Sequence, residues 1–438
     1  MKTALKAGIF TVASLGSFSL GFGLKDIAAG EFPSSSAFRA LFTGEANRQA
    51  TPTQIFRDHY NRILTSYYQP IEPQRLKYAG MEGLFSSLGD PHTSFLEPKV
   101  AESFATETRG DFVGVGARLA DDALGAKVMV VFRGSPADQA GLKVGDVIVR
   151  VDDKDVGGIV VDDIVTLIRG EEGTTVRLKV LRSSEPKPLV LPIVRSVVIL
   201  PTAEGKLLPG KIGYINVTSF SEPTPQQFDQ ALAEIYSHKP TGLIIDMRGN
   251  PGGLLEVATE ILSRFVENKT VVTMKGKNGD SETVTTPGGK LLKIPYPVAV
   301  LINEESASAA EIFAGVLRDY KKATLVGEHS YGKASVQNVF TLVDMASAKV
   351  TIARYYLPSG DDISRRVDED GTYLSGGLKP DVVVPLRIDK DTVIGEPGKD
   401  SQLTRAIELI NEKRGEQIQA TVFEGEEGRL RFRRTYAT

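Results

Sequence analysis

The 438-residue sequence contains no cysteine. That absence excludes disulfides, thiolate catalysis and every sulfur-ligated metal site, and it leaves the fold to packing alone. Histidine is scarce. His59, His92, His238 and His329 are scattered without HExxH or comparable spacing, so no metal or other cofactor is expected. His92, in LGDPHTSFLEP, reads as a turn residue after Gly89, Asp90 and Pro91 end a helix. Charge of one sign is lacking too, since 52 Lys plus Arg face 55 Asp plus Glu for a net charge of -3. With no sustained basic stripe and no interleaved aromatics, nucleic acid is not an expected partner.

What is present suits several folded units, because an apolar content of 41% over this length can build more than one core. Lys2 and Lys6 precede an uncharged run from Ala7 to Leu24, the pattern of an export signal or of an uncleaved membrane anchor. Either places the rest of the chain in the cell envelope, extracytoplasmic or periplasmic. Residues 1–30 are therefore assigned to the signal or anchor, and 31–104 to a tether and a helical module broken near Pro70 and Pro73. Residues 105–198 alternate like strands and form a β-rich domain. In it Ser135, Pro136 and Gly141 supply the cap, first turn and stop of a short helix, and VDDIVTLIRG supplies a second one. From 199 to 388 strand, glycine turn and helix repeat, which predicts an α/β core with its functional groups at the carboxyl ends of strands. Residues 389–438 hold one helical run, LTRAIELINEK, and a charged end, with no chemistry evident.

Chemistry is expected where NEESASAAEIFAG follows the apolar run PVAVLI. Ala309, Ile312, Phe313, Val316 and Leu317 make one helical stripe, and Ser308-x-x-Glu311 fits a capping box. Capping accounts for one serine but not for small side chains at 306, 307, 309 and 310, which suit close approach of another segment. A helix N-terminus also presents free N–H groups able to stabilise an oxyanion. If Ser308 attacks, it needs a base, and Lys333 in HSYGKASVQ stands where the neighbouring strand should end. A lysine base must be neutral near pH 7, so its pKa must fall from about 10.4 to roughly 7 or 8 through desolvation. Capping for Ser308 and solvation for Lys333 are the competing ordinary roles, and His329 is a rival base.

The stretch GEHSYGKA nearly spells a phosphate loop, G-x-x-x-x-G-K-[ST]. Ala334 lacks the hydroxyl for magnesium, and the following residues alternate like strand, so no helix N-terminus awaits a phosphate. Nucleotide binding is excluded on those two grounds. DMRGNPGG, residues 246–253, ends another strand with Gly249, Gly252 and Gly253 able to aim amides into a cleft.

Taken together, LGDPHTSFL, GSPADQAGLKVGDVI, DMRGNPGG, NEESASAAEIFAGVLRDY, VGEHSYGKASVQ, ARYYLPSGDDI and GGLKPDVVV resemble the carboxy-terminal processing, or tail-specific, serine peptidases over about residues 54–386. The resemblance implies an α/β multidomain protein: an N-terminal helical module, a PDZ domain and a protease core of the ClpP/crotonase-like kind. It implies Ser308 as nucleophile, Lys333 as base 25 positions later, and Gln337 holding the lysine amine. Ala309, Gly252 and Gly253 would supply oxyanion-hole amides. Ala310 stands for a usual serine and Ala334 for a usual glycine. The PDZ loop FVGVGARL would take a chain end at Gly114, Val115 and Gly116 by strand addition and carboxylate capture, and Arg169 would be regulatory. The expected substrates are proteins or peptides with unstructured apolar C-termini, cleaved near those tails. Membrane anchoring and self-assembly remain open from sequence, and a non-catalytic PDZ scaffold is the alternative activity class.

Overall fold

The structure, a computed structural model, describes residues 50–415. The export or anchor segment, most of the tether and the charged C-terminal end lie outside the described residues. The chain divides into one compact unit ending at Gly83 and another beginning at Leu84. The first holds helix α1 (Pro52–Ser66) and most of helix α2 (Pro73–Ser86). Thr51 starts α1 with a capping box, donating its N–H to Gln54 Oε1 at 2.8 Å and accepting Gln54 N–H at 3.3 Å. Among the described residues, no helix is long and apolar enough to cross a membrane.

The second unit opens with β1 (Ser94–Leu96), α3 (Pro98–Arg109) and β2 (Asp111–Gly114). The β-rich domain follows, with β3 (Ala117–Asp122), β4 (Gly125–Val131), α4 (Pro136–Gln139), β5 (Val147–Val151), β6 (Lys154–Asp155), α5 (Val161–Ile168), β7 (Thr175–Leu181) and β8 (Leu189–Val194). Its sheet runs β3-β4-β5-β7-β8, with β6 on β5. The strand alternation is visible in β7, where Val176, Leu178 and Val180 are buried in one core with Ile164 and Ile168 of α5. Ser135 caps α4 by accepting Asp138 N–H, and Gly141 follows at φ 80°. β9 (Ser196–Ile199) returns to pair antiparallel with β2.

The α/β core contains β10 (Ala203–Leu208), β11 (Ile212–Val217), α6 (Thr224–Ser237), β12 (Gly242–Asp246), α7 (Leu255–Leu262), β13 (Thr270–Gly276), β14 (Ser281–Thr285), β15 (Val298–Ile302), α8 (Ala309–Asp319) and β16 (Thr324–Gly327). β17 (Ser335–Thr341), β18 (Ser347–Tyr356), β19 (Arg366–Val367), β20 (Tyr373–Ser375), β21 (Val382–Val383) and a helix α9 over residues 401–415 complete it. The main sheet runs β10-β11-β12-β15-β16-β21, parallel from β11 onward. Its central strands are apolar on both faces because helices cover both. Leu243, Ile245 and Met247 face α6, α7 and α8, whereas Ile244 packs with Leu403, Ala406 and Ile410 of α9. A second sheet runs β1-β18-β13-β14 with β17 on β18.

Candidate active site

Parallel pairing of β15 with β16 sets the site. Ala299 is opposite Thr324 and Ile302 opposite Gly327, so the two strands end together and their following loops leave side by side. Glu328 N–H donates to Ile302 O at 3.0 Å, and Tyr331 N–H to Ser306 O at 3.0 Å. The turn after β12 joins them: Ser306 Oγ donates to Met247 O at 2.8 Å, and Gly249 N–H to Asn303 Oδ1 at 3.0 Å. Three strand-end turns thus share one hydrogen-bonded cluster. The small residues Ser306, Ala307, Ala309 and Ala310 are all buried in it.

Ser308 occupies φ 55°, ψ -119° at the start of α8. A non-glycine residue there carries strain of about 1–3 kcal/mol and must be held by its surroundings. Ser308 N–H donates to Glu311 Oε2 at 2.8 Å, and Ser308 O accepts Ile312 N–H at 2.9 Å. Glu311 is fully buried and also receives the lysine loop: Lys333 N–H on Oε2 at 2.9 Å, Gly332 N–H on Oε1 at 2.7 Å and Ser330 Oγ on Oε1 at 2.5 Å. The main-chain nitrogens of Ser308 and Lys333 therefore stand within two hydrogen-bond lengths of each other. From the far side, the buried Tyr355 hydroxyl of β18 donates to Lys333 O and lies 3.4 Å from Ser308 O.

The Lys333 side chain is half-buried. Burial lowers its pKa and the Lys349 ammonium lowers it further, against the opposing pull of Glu311 and Asp90. That is the direction a general base requires. Lys333 Nζ makes no hydrogen bond to Ser308 Oγ or to Gln337; the Gln337 amide instead donates to Ser335 Oγ at 2.8 Å and Thr351 Oγ1 at 3.1 Å. His329 is exposed and without a hydrogen-bond partner among the described residues. His92 is a turn residue, as the sequence indicates, with its N–H donated to Asp90 Oδ1 at 3.0 Å. It is half-buried, its ring lies 6.2 Å from that of Tyr331, and burial followed by the Lys333 charge pushes its pKa down. Its only sequence signal was the GDPHT stretch, which also describes an ordinary turn.

The glycine turn corrects one expectation. Gly252 N–H is already donated to Asn250 Oδ1 at 2.8 Å, so it does not face the site as a free amide. Gly252, at φ 105°, instead makes room: a Cβ there would meet Ala307 O and Ser308 Cβ at 2.8 Å and Ala309 N at 2.9 Å. The N–H groups of Ala309 and Gly253 have no acceptor among the described residues. Both neighbours of Gly253 are pinned, because Gly252 O accepts Phe220 N–H and Leu254 N–H donates to Phe220 O.

In the β-rich domain, Gly114 pairs with Ser196 at the end of β2 and Val115 is buried. Gly116, at φ 85°, packs so closely on Ser135 that a Cβ would come within 2.3 Å of Ser135 Cβ. The carbonyls of Val115 and Gly116 are taken by Ala137 N–H, Phe132 N–H and Ser135 Oγ. Arg169 caps α5, exposed, its guanidinium unpaired among the described residues. No group of side chains suited to a metal occurs among the described residues.

The sequence matches the family profile described as peptidase family S41 over residues 211–384 and that of the PDZ domain over residues 127–182. A carboxy-terminal-processing protease of Bartonella bacilliformis is 34% identical over 362 residues, covering 80% of this chain and 80% of that protein. Carboxy-terminal processing protease CtpA of Bacillus subtilis is 32% identical over 328 residues, covering 75% of this chain and 68% of that protein. A solved structure of a photosystem II D1 C-terminal processing protease is 26% identical, covers 77% of this chain and 94% of its own, and superposes with a TM-score of 0.43.

Proposed function

The chain belongs to the carboxy-terminal processing proteases of peptidase family S41, a PDZ-bearing group of serine peptidases, and from that premise we propose that Ser308 and Lys333 form its catalytic dyad. Membership sets aside the non-catalytic scaffold. Neutral Lys333 takes the Ser308 proton as Oγ attacks the scissile carbonyl, then returns it to the leaving amine. The N–H groups of Ala309 and Gly253 receive the oxyanion at the start of α8. Water repeats the cycle on the acyl-enzyme. The observation that carries this reading is the meeting of the Ser308 and Lys333 N–H groups, from residues 25 positions apart, on one carboxylate oxygen.

The substrates are protein chains with unstructured apolar C-termini, caught by the loop at Gly114, Val115 and Gly116 and cut near the tail; Arg169 couples capture to cleavage, and Gln337 turns to hold the lysine amine once substrate enters. Export by the N-terminal segment brings the enzyme to envelope proteins. The test is hydrolysis of a peptide ending in apolar residues with a free carboxylate. Activity lost in both Ser308→Ala and Lys333→Ala supports the dyad. Full activity in either one refutes it, and loss in His329→Ala with retention in Lys333→Ala transfers the base to His329.

A further inference from the structure

Glu311 is more than the partner of a helix cap. A capping box needs only the Ser308 N–H, yet three of the four donors on this carboxylate come from residues 330–333, outside the helix. Each oxygen accepts two donors, which fills the acceptor capacity of a carboxylate. Ser330 Oγ in turn accepts Leu378 N–H at 2.6 Å, extending the link to the segment before β21. We propose that Glu311 is a positioning residue for the dyad, a buried bracket that sets the serine turn against the lysine loop. This rests on the dyad reading and deepens it.

The chemistry of the bracket distinguishes it from ordinary packing. Glutamine has the same shape but would present an –NH2 to donors that need an acceptor, so two contacts would turn repulsive. Displacement of the two loops by a fraction of an ångström is enough to spoil proton transfer, and a misplacement of about 1 Å costs on the order of 100-fold in rate. Burial pushes the Glu311 pKa up against the lowering pull of its four donors, and in its ionised form the carboxylate adds a negative charge beside Lys333. The groups facing that amine are Glu311 on α8, Asp90 and His92 in the loop before β1, and Lys349 on β18. Glu311 favours the ammonium form, so its neutral replacement makes Lys333 easier to deprotonate, and the rising limb of kcat/KM against pH moves to lower pH.

The experiment compares wild type, Glu311→Gln and Ser330→Ala on the tail-bearing peptide across pH, with unfolding midpoints recorded in parallel. The expected result for Glu311→Gln is kcat lower by about 100-fold, KM nearly unchanged and the rising limb displaced to lower pH. Unchanged kcat overturns the proposal, and so does a loss that accompanies only a lower unfolding midpoint with the limb unmoved. If Glu311→Gln does not fold, Ser330→Ala decides, because it removes one donor and leaves the carboxylate: a several-fold lower kcat at constant KM supports the bracket, and wild-type kcat overturns it. Activity surviving Ser308→Ala or Lys333→Ala would instead strike the dyad reading itself.

Discussion

Arg248 and Asp400, 152 positions apart, meet in a two-pronged ion pair with N···O distances of 3.0 and 2.7 Å. Arg248 also grips Asp246 at 2.9 and 2.6 Å and Gln402 at 2.9 Å. Asp246 ends β12, just before the turn that lies against Ser308, and Asp400 caps α9 by accepting Leu403 N–H. The C-terminal segment, in which no chemistry was legible, thus anchors the turn that packs on Ser308.

Asp400→Ala should therefore destabilise the protein strongly. It leaves a nearly buried guanidinium with half its compensation, and breaking a buried pair costs about 3–5 kcal/mol. Denaturant unfolding of the variant measures this, and a midpoint equal to wild type would remove the anchor. Burial raises the Asp400 pKa, but hydrogen bonds from Arg248 and the Gly395 N–H more than offset it and hold the carboxyl below its usual range. Its stabilisation is therefore complete above about pH 4 and is lost as pH falls through the lower folded value.

Gly252→Ala should disable the site without unfolding the chain. The added methyl would collide with Ala307 O, Ser308 Cβ and Ala309 N at a backbone angle that L side chains rarely adopt. Ser308 must shift, so on the proposed dyad kcat should fall by about 100-fold while tail-peptide affinity for the PDZ domain persists. Wild-type kcat in this variant would show that the turn does not support Ser308.

The pH profile should move in opposite directions for the two charged neighbours of Lys333. Lys349 lowers the Lys333 pKa, so Lys349→Met raises it and displaces the rising limb of kcat/KM to higher pH. Glu311→Gln displaces it to lower pH. Profiles that move together, or not at all, would mean that the limb reports a group other than Lys333.

Tyr355→Phe should weaken both stability and turnover. The fully buried hydroxyl serves Lys333 O, which would lose its donor, while Ser308 O keeps the Ile312 N–H, and leaving one buried acceptor unsatisfied costs about 1–3 kcal/mol. Thermal unfolding and kcat together read the effect. A variant as stable and as fast as wild type would make the hydroxyl dispensable.

Gly116→Ala should raise KM for tail-bearing peptides and leave kcat alone, because the methyl strikes Ser135 and distorts the loop beside α4. Peptides with an amidated C-terminus provide the control. Equal KM for wild type and variant would remove this loop from substrate capture.

Much of the architecture was legible because it rests on short-range rules. The apolar stripe from Ala309 to Leu317 specified α8, the cap at Ser135 specified α4, and DMRGNPGG marked the end of a strand. Adjacent parallel strand ends also placed Ser308 and Lys333 in neighbouring loops. What escaped were contacts whose partners lie far along the chain. His92 is the turn residue that the sequence indicated, but its place beside Tyr331 and Lys333 was not visible there. Gly252 looked like an amide donor until its close packing on Ala307, Ser308 and Ala309 was in place.

By itself, the sequence determined which segments become helices and strands, the absence of thiol chemistry and the residue types able to attack and to take a proton. Periodicity, capping and side-chain chemistry act within a few residues, so they can be read along one line. Only the tertiary structure decided that one buried carboxylate would gather both loops, that a tyrosine from another sheet would brace them, and that a terminal helix would anchor the glycine turn. Those outcomes depend on burial and on distances between remote segments, and both arise only once the sheets have paired and packed.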